Sequence, residues 1–227
     1  MIKIISATRL SRQDFIKEAP LGASLGRLSF DTRLKARIAF ENSAGLPLVY
    51  NAALDEPDAA EILVFMHDDV WIEDFFFVDR IISALQSFDV MGVAGNKRRV
   101  PRQPSWAFAG HAGGKLVWDA RENLSGAVAH GAAPFGPITY FGSTPASCEL
   151  LDGVLLAARR DALRSNGVRF DPRFDFHFYD LDFCRTARAA GLALGCEALA
   201  ITHRSNGDFG SAGWRRNYAA YLEKWGE

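Results

Sequence analysis

Five of the six residues from Ile62 to His67 are apolar, and the run stops at two adjacent carboxylates, Asp68 and Asp69. An uninterrupted apolar stretch this short predicts a strand buried on both faces, as in a parallel sheet covered by helices. Its end must reach solvent, a cation or a ligand, because burying unpaired charge is very costly. In open α/β sheets the carboxyl ends of strands are where ligands bind. One of the two aspartates could simply cap a following helix. The sharper expectation is that His67 and Asp69, which point the same way if the strand continues, help hold a divalent cation against a nucleotide diphosphate.

Similar strand signals recur on either side. Ile2 to Ala7 predicts a first strand with a polar, basic turn at Thr8 to Arg12, and Ala36 to Phe40 a second, ending in Glu41-Asn42-Ser43-Ala44-Gly45. There again a carboxylate sits among turn-forming residues at a strand's carboxyl end. Pro47 to Leu54 predicts a helix carrying Asn51. Phe77, Ile81, Ala84, Leu85 and Phe88 recur at helical spacing, so Glu73 to Phe88 predicts a helix laid on the sheet, with Phe75-Phe76-Phe77 in the core. Val90 to Ala94 then completes a strand, helix, strand unit.

Periodicity weakens from Gly95 to Ser147, where only Lys115 to Trp118 and Ile138 to Phe141 resemble strands. A stretch of this kind suits a lid or an acceptor-binding region. Its basic run, Lys97, Arg98, Arg99 and Arg102, could meet phosphate or stay a solvated loop. Leu150 to Ala157 predicts a strand broken by Asp152 and Gly153, a glycine that would mark close approach of a ligand or another backbone. Arg159 to Ser165 follows as a short helix. Between Phe170 and Cys184, Asp171, Asp175, Asp180 and Asp182 lie among aromatic residues, which gives them reason to carry shifted pKa values. Asp180 is a natural N-cap for a helix Leu181 to Ala190. Ala193 to Ile201 predicts a last strand with His203 just past it. Residues 204–227 read as a glycine-rich, flexible loop and a helix whose stripe of Trp214, Tyr218, Tyr221, Leu222 and Trp225 would pack on the domain, a second protomer or a membrane surface being the alternatives.

Composition narrows the class. The 227 residues are 48% hydrophobic and 23% charged, enough for a sizeable core in one domain. A net charge of -1 supplies no bulk attraction for nucleic acid. Three cysteines, Cys148, Cys184 and Cys196, lack a CxxC pairing, which fits a reducing, cytoplasmic setting better than a disulfide framework. No span suits a signal peptide or a membrane helix, leaving peripheral membrane contact open.

In their order, these pieces resemble the nucleotide-sugar glycosyltransferases of the GT-A fold, family 2 type, and in particular a streptomycin-biosynthesis-like branch. Glu41-Asn42-Ser43, Asn51 and Met-His-Asp-Asp-Val at 66 to 70 resemble the donor half; Leu-Asp-Gly at 151 to 153, Tyr-Asp-Leu-Asp-Phe-Cys at 179 to 184 and Thr-His at 202 to 203 resemble the acceptor half. The resemblance implies a mostly parallel central sheet flanked by helices with an irregular acceptor-side insertion. Residues 1–95 would form the nucleotide-sugar half and 96–203 the acceptor half.

It also implies roles. Thr8, Arg9, Glu41, Asn51 and Asp68 would bind the nucleotide-diphosphate donor. Asp69, His67 and His203 would hold Mn²⁺ or Mg²⁺. Asp180 would act as general base on a saccharide or other acceptor hydroxyl, supported by Asp152 and Asp182, with inversion at the anomeric carbon. Two departures from the family pattern stand out: His67 replaces the first aspartate of the DxD motif, and Tyr179 replaces the acidic residue that often precedes the base. They motivate one alternative, a catalytically degenerate module binding a glycan or a partner. A nucleotidyltransferase would want a glycine-rich phosphate loop after the first strand, which Ser6-Ala7-Thr8-Arg9 is not; a metal-dependent phosphohydrolase would release sugar or phosphate without an acceptor.

Overall fold

The Ile62–Met66 strand is buried at every position and lies inside a seven-stranded sheet. In a computed structural model, which describes all residues except 58–59, 113–114 and 206, the sheet order is Ala146–Ser147, Leu194–Cys196, Val90–Gly92, Leu155–Arg159, Ile62–Met66, Ile2–Ala7, Leu34–Ala39. Five of these strands run one way; Leu155–Arg159 is antiparallel to both its neighbours and Ala146–Ser147 to its one. Three of the six pairings are parallel and three antiparallel, so the sheet is mixed and not mostly parallel as expected; the difference comes from a reversed strand at its centre and another at its edge, which the apolar pattern alone does not reveal.

A second sheet carries Leu150–Leu151, Ala94–Asn96, Leu124–His130, Ile201–His203 and Val70–Ile72 in that order, with Ile138–Gly142 on Leu124–His130. Several stretches that read as one strand divide between the two sheets. Val90 to Ala94 crosses at Val93, Leu150 to Ala157 turns at Asp152 to Val154, and the last expected strand splits into Leu194–Cys196 and Ile201–His203. His203 thus ends a strand instead of following one. The second of these crossings puts Asp152 at the junction between the sheets. The irregular region holds more structure than its periodicity suggests: Leu124–His130 and the hairpin of Phe108–Ala112 with Lys115–Trp118 lie within it.

Helices cover the sheets with the faces their spacing predicts. The Phe77–Ala84 helix buries Phe77, Val78, Ile81 and Ala84, but it is shorter than expected, and Phe75 and Phe76 remain exposed at 61% and 66%. Leu46–Leu54 buries Tyr50, whose ring packs on Phe65 and Phe170. The region before Leu34 forms two helices, Arg12–Glu18, capped by Ser11 accepting from the Asp14 N–H, and Pro20–Arg27, opened by proline. No helix among the described residues is long and apolar enough to cross a membrane.

Three of the four residues of the basic run are tied down internally. Arg98 pairs with Asp119, Arg99 with Glu227, and Lys97 donates to the Glu122 carbonyl. The closing helix, Ala212–Trp225, buries Trp214 and Tyr221, and Phe178 packs on both and on Tyr218. The expected stripe therefore covers the domain itself. This helix also neutralises Asp182, which is fully buried and accepts from Lys224 Nζ at 2.8 Å and Trp225 Nε1 at 2.9 Å.

Lys224→Met leaves that carboxylate buried without its cation and is expected to lower unfolding free energy by about 3 kcal/mol. Adding Asp182→Asn to the same chain should recover much of the loss. Urea unfolding of the single and double variants checks both.

Candidate active site

Where the central strand ends, the chain turns through His67 to Asp69 into the Val70–Ile72 strand of the second sheet. Ile201–His203 pairs antiparallel to that strand, with His203 opposite Val70. Backbone pairing thus brings His67, Asp69 and His203 together, with one possible ligand atom from each lying within 4.8 Å of the others. His203 Nε2 stands 3.2 Å from Asp69 Oδ1, and His67 Nδ1 stands 3.9 Å from the same oxygen.

Burial disfavours charge on Asp69, but the hydrogen bond from His203 and the nearby imidazoles outweigh it and hold the carboxyl well below its usual range. Burial likewise opposes a charged His203, and its bond to Asp69 overrides that and raises its pKa. His67 is pushed down by burial and by His203. Adjacent ligands of an octahedral ion with bonds of about 2.1 Å stand about 3 Å apart. The three side chains therefore fit a divalent cation with little movement; the carboxylate suits a hard ion such as Mn²⁺ or Mg²⁺, and the two imidazoles extend the choice to ions that favour nitrogen.

Asp180 faces the same cleft from the helix Tyr179–Ala189. It is not the N-cap: Phe178 holds that position in a left-handed conformation (φ 66), and Asp180 sits in the first turn. Its carboxylate accepts from the Leu181 N–H at 2.9 Å and the Gly153 N–H at 3.0 Å, and among the described residues no cation pairs with it. Burial and the charge of nearby Asp152 push its pKa up to about 7. Asp152 lines the cleft as well, accepting from Trp106 Nε1 at 2.7 Å and from the Val154 N–H at 2.8 Å.

Gly153 is the close approach its sequence position suggests. A Cβ there would strike the Tyr179 ring and hydroxyl and come within 2.9 Å of Asp180 Cβ. Its carbonyl accepts from the Tyr179 hydroxyl at 2.8 Å, and that hydroxyl lies 3.0 Å from His67 Nε2. The cleft enclosed by these groups has a volume of about 760 Å³.

Other expected residues fall elsewhere. Thr8 and Glu41 meet at the ends of the first two strands, where Thr8 N donates to the Ala39 carbonyl, Asn42 N to that of Thr8 and Glu41 N to that of Leu10. Arg9 and Glu41 are exposed there, Thr8 is buried with its hydroxyl accepting from the Leu10 N–H, and Asp68 is half-buried beside the cation cluster. Asn51 is tied to the backbone: its amide donates to the Phe170 carbonyl at 2.7 Å and accepts from the Phe170 N–H at 3.0 Å, which uses one of its two N–H groups and one of its two lone pairs. Asp182 is not brought to the cleft, being held on another face of its helix by Lys224 and Trp225.

Several cleft residues carry no motif that singles them out. Trp106 and His130 come from the weakly patterned region, Phe176 stacks on His67 at 5.7 Å, and Ser205 Oγ lies 3.0 Å from His203 Nε2.

Residues 31–202 match the sequence profile of a glycosyltransferase-like family. The chain belongs to that family. Among solved structures, GalNAc-T7 with UDP, GalNAc and Mn²⁺ aligns over 98% of this chain and 48% of its own, with a TM-score of 0.53 and 11% identity. The chain thus spans about half the length of that protein. The mannosyltransferase PcManGT from Pyrobaculum calidifontis, in complex with GDP-Man and Mn²⁺, aligns over 97% of this chain and 61% of its own at 16% identity, TM-score 0.49. TarS from S. aureus aligns over 90% and 36% at 13% identity, TM-score 0.47. No curated protein matches the chain. The fold of this glycosyltransferase-like domain is GT-A, an α/β sheet flanked by helices.

Gly153→Ala should cost roughly 1–3 kcal/mol through overpacking. Gly26→Ala, in the helix Pro20–Arg27 with nothing within 4 Å of the added carbon, should instead gain about 0.5–1 kcal/mol. Denaturant unfolding of the pair reads both signs.

Proposed function

We propose that this domain moves a sugar from a nucleotide-diphosphate donor to an acceptor hydroxyl with inversion, using Asp180 as general base. The observation that carries the reading is a carboxylate that, among the described residues, is held by backbone N–H groups with no cation beside it, in the same cleft as His67 and His203, where burial and Asp152 push its pKa up to about 7. An acceptor hydroxyl has a pKa far above neutral, so a base must take its proton as the new anomeric bond forms. A carboxylate titrating near the working pH is well matched to that task, worth roughly 10²–10⁴-fold in rate. One base on the acceptor side, opposite the leaving group, gives in-line displacement and an inverted product.

Residues 1–95 form the donor half in this reading and residues 96–203 the acceptor half, with 204–227 closing over them. Thr8, Arg9, Glu41 and Asp68 lie toward the nucleotide, and Asp152, held by Trp106, positions the acceptor. His67, Asp69 and His203 hold the cation. When bound, Mn²⁺ or Mg²⁺ supplies positive charge against the diphosphate leaving group. The family 2 type and its streptomycin-biosynthesis-like branch rest on the order of motifs, and the three buried, free cysteines favour a cytoplasmic setting.

Asp180→Asn keeps the shape and removes the base. Turnover is expected to fall roughly 10²–10⁴-fold while UDP or GDP binding survives; near-normal turnover places the base elsewhere. In the unsubstituted enzyme kcat should decline as pH falls through about 7, because the proton then occupies Asp180, and product NMR should show the anomer opposite to the donor's.

Asp69→Ala is expected to abolish the Mn²⁺-dependent part of nucleotide-diphosphate binding in titration calorimetry. Equal affinity with and without Mn²⁺ in the unsubstituted protein counts against the cation assignment.

A further inference from the structure

The two departures from the family pattern touch one another, since the Tyr179 hydroxyl lies 3.0 Å from His67 Nε2. From this contact we infer that Tyr179 is a positioning residue that fixes the tautomer of His67 and turns its Nδ1 lone pair into the cluster with Asp69 and His203. The inference rests on the reading of that cluster as a cation site.

The argument is one of hydrogen count. A tyrosine hydroxyl has one hydrogen to donate, and a peptide carbonyl can only accept. Tyr179 donates to the Gly153 carbonyl at 2.8 Å, so its oxygen has only lone pairs left for the imidazole. His67 Nε2 must then carry the hydrogen and donate it. In the neutral ring Nδ1 is left bare, and it is the nitrogen that faces Asp69 Oδ1, at 3.9 Å, too far for a hydrogen bond between them.

Packing makes the arrangement rigid. Tyr179 is 2% exposed, its ring borders Tyr50 and Phe170, and Gly153 leaves no side chain to push the hydroxyl away. Phe176, stacked on His67, fixes the plane of the imidazole from its other side. An aspartate in place of His67 would need no such partner, because either oxygen can ligate. The histidine needs one, and the tyrosine at 179 supplies it. A nitrogen ligand also moves the site's preference from Mg²⁺ toward ions that favour imidazole.

Histidine-¹⁵N-labelled protein without metal gives the direct test. Long-range ¹H–¹⁵N spectra should show His67 as the Nε2–H form, and Tyr179→Phe should convert it to a mixture; an Nδ1–H form in the unsubstituted protein overturns the inference. Mn²⁺ binding, read from the free-ion EPR signal, should weaken about 10–100-fold in Tyr179→Phe. In a His67→Asp background the same change should alter affinity less than about threefold. Equal losses in both backgrounds make Tyr179 merely structural and overturn the role. Failure of the unsubstituted protein to bind Mn²⁺ sinks the cation reading, and the tautomer spectrum still decides the hydrogen bond.

Discussion

The backbone of one residue, Gly153, organises the cleft. The Gly153 N–H donates to Asp180 and its carbonyl accepts from Tyr179, whose hydroxyl reaches His67. The groups assigned to proton transfer and to cation binding are thereby fixed to one piece of backbone, with few rotatable bonds between them. Placement of this kind is what catalysis asks of a scaffold, since small misplacements of reacting groups cost large factors in rate. It requires glycine at 153, because any side chain would occupy the space that Tyr179 and Asp180 fill. It also requires the chain to pass from one sheet to the other at that point, which the turn between Leu150–Leu151 and Leu155–Arg159 provides.

Asp180 and Asp182 illustrate how two similar carboxylates on one helix diverge. Residues two apart on a helix do not share a face. Asp182 turns inward and meets Lys224 and Trp225, which offset part of the upward push that burial gives its pKa and tie it to the closing helix. Asp180 turns toward the cleft and, among the described residues, meets backbone N–H groups and the like charge of Asp152, so its proton is held to near neutral pH. Burial is common to both and does not separate them. The partner does, and it lies more than forty residues away in sequence.

Local sequence pattern does not extend to partners that far apart. The central strand, its acidic end, the helical spacings and the convergence of His67, Asp69 and His203 follow from local pattern and motif order, because strand ends in such sheets gather on one side. Asn51 and Asp182 carry the right residue types at the right spacing, yet Asn51 is tied to the Phe170 backbone and Asp182 to Lys224, and no local pattern announces a long-range partner. The reversed central strand was equally hidden, since a strand buried on both faces shows the same apolar run in either direction. Trp106 and His130 reach the cleft from the region of weakest periodicity, where pairing of Leu124–His130 with distant strands decides position.

The order of stability terms explains why the weakly patterned third can line a cleft at all. Strands such as Leu124–His130 are held by their ladders on both sides, so the side chains between them need not all be apolar to keep the backbone in place. His130 can therefore stand half-buried beside His203, and Trp106 can spend its indole N–H on Asp152. A wall built from aromatic rings lowers the local dielectric, and each charge or hydrogen bond that remains inside acts more strongly than it would in water. The same aromatic packing that weakens the periodic signal in the sequence is what gives Asp180 a reason to differ from an ordinary surface carboxylate.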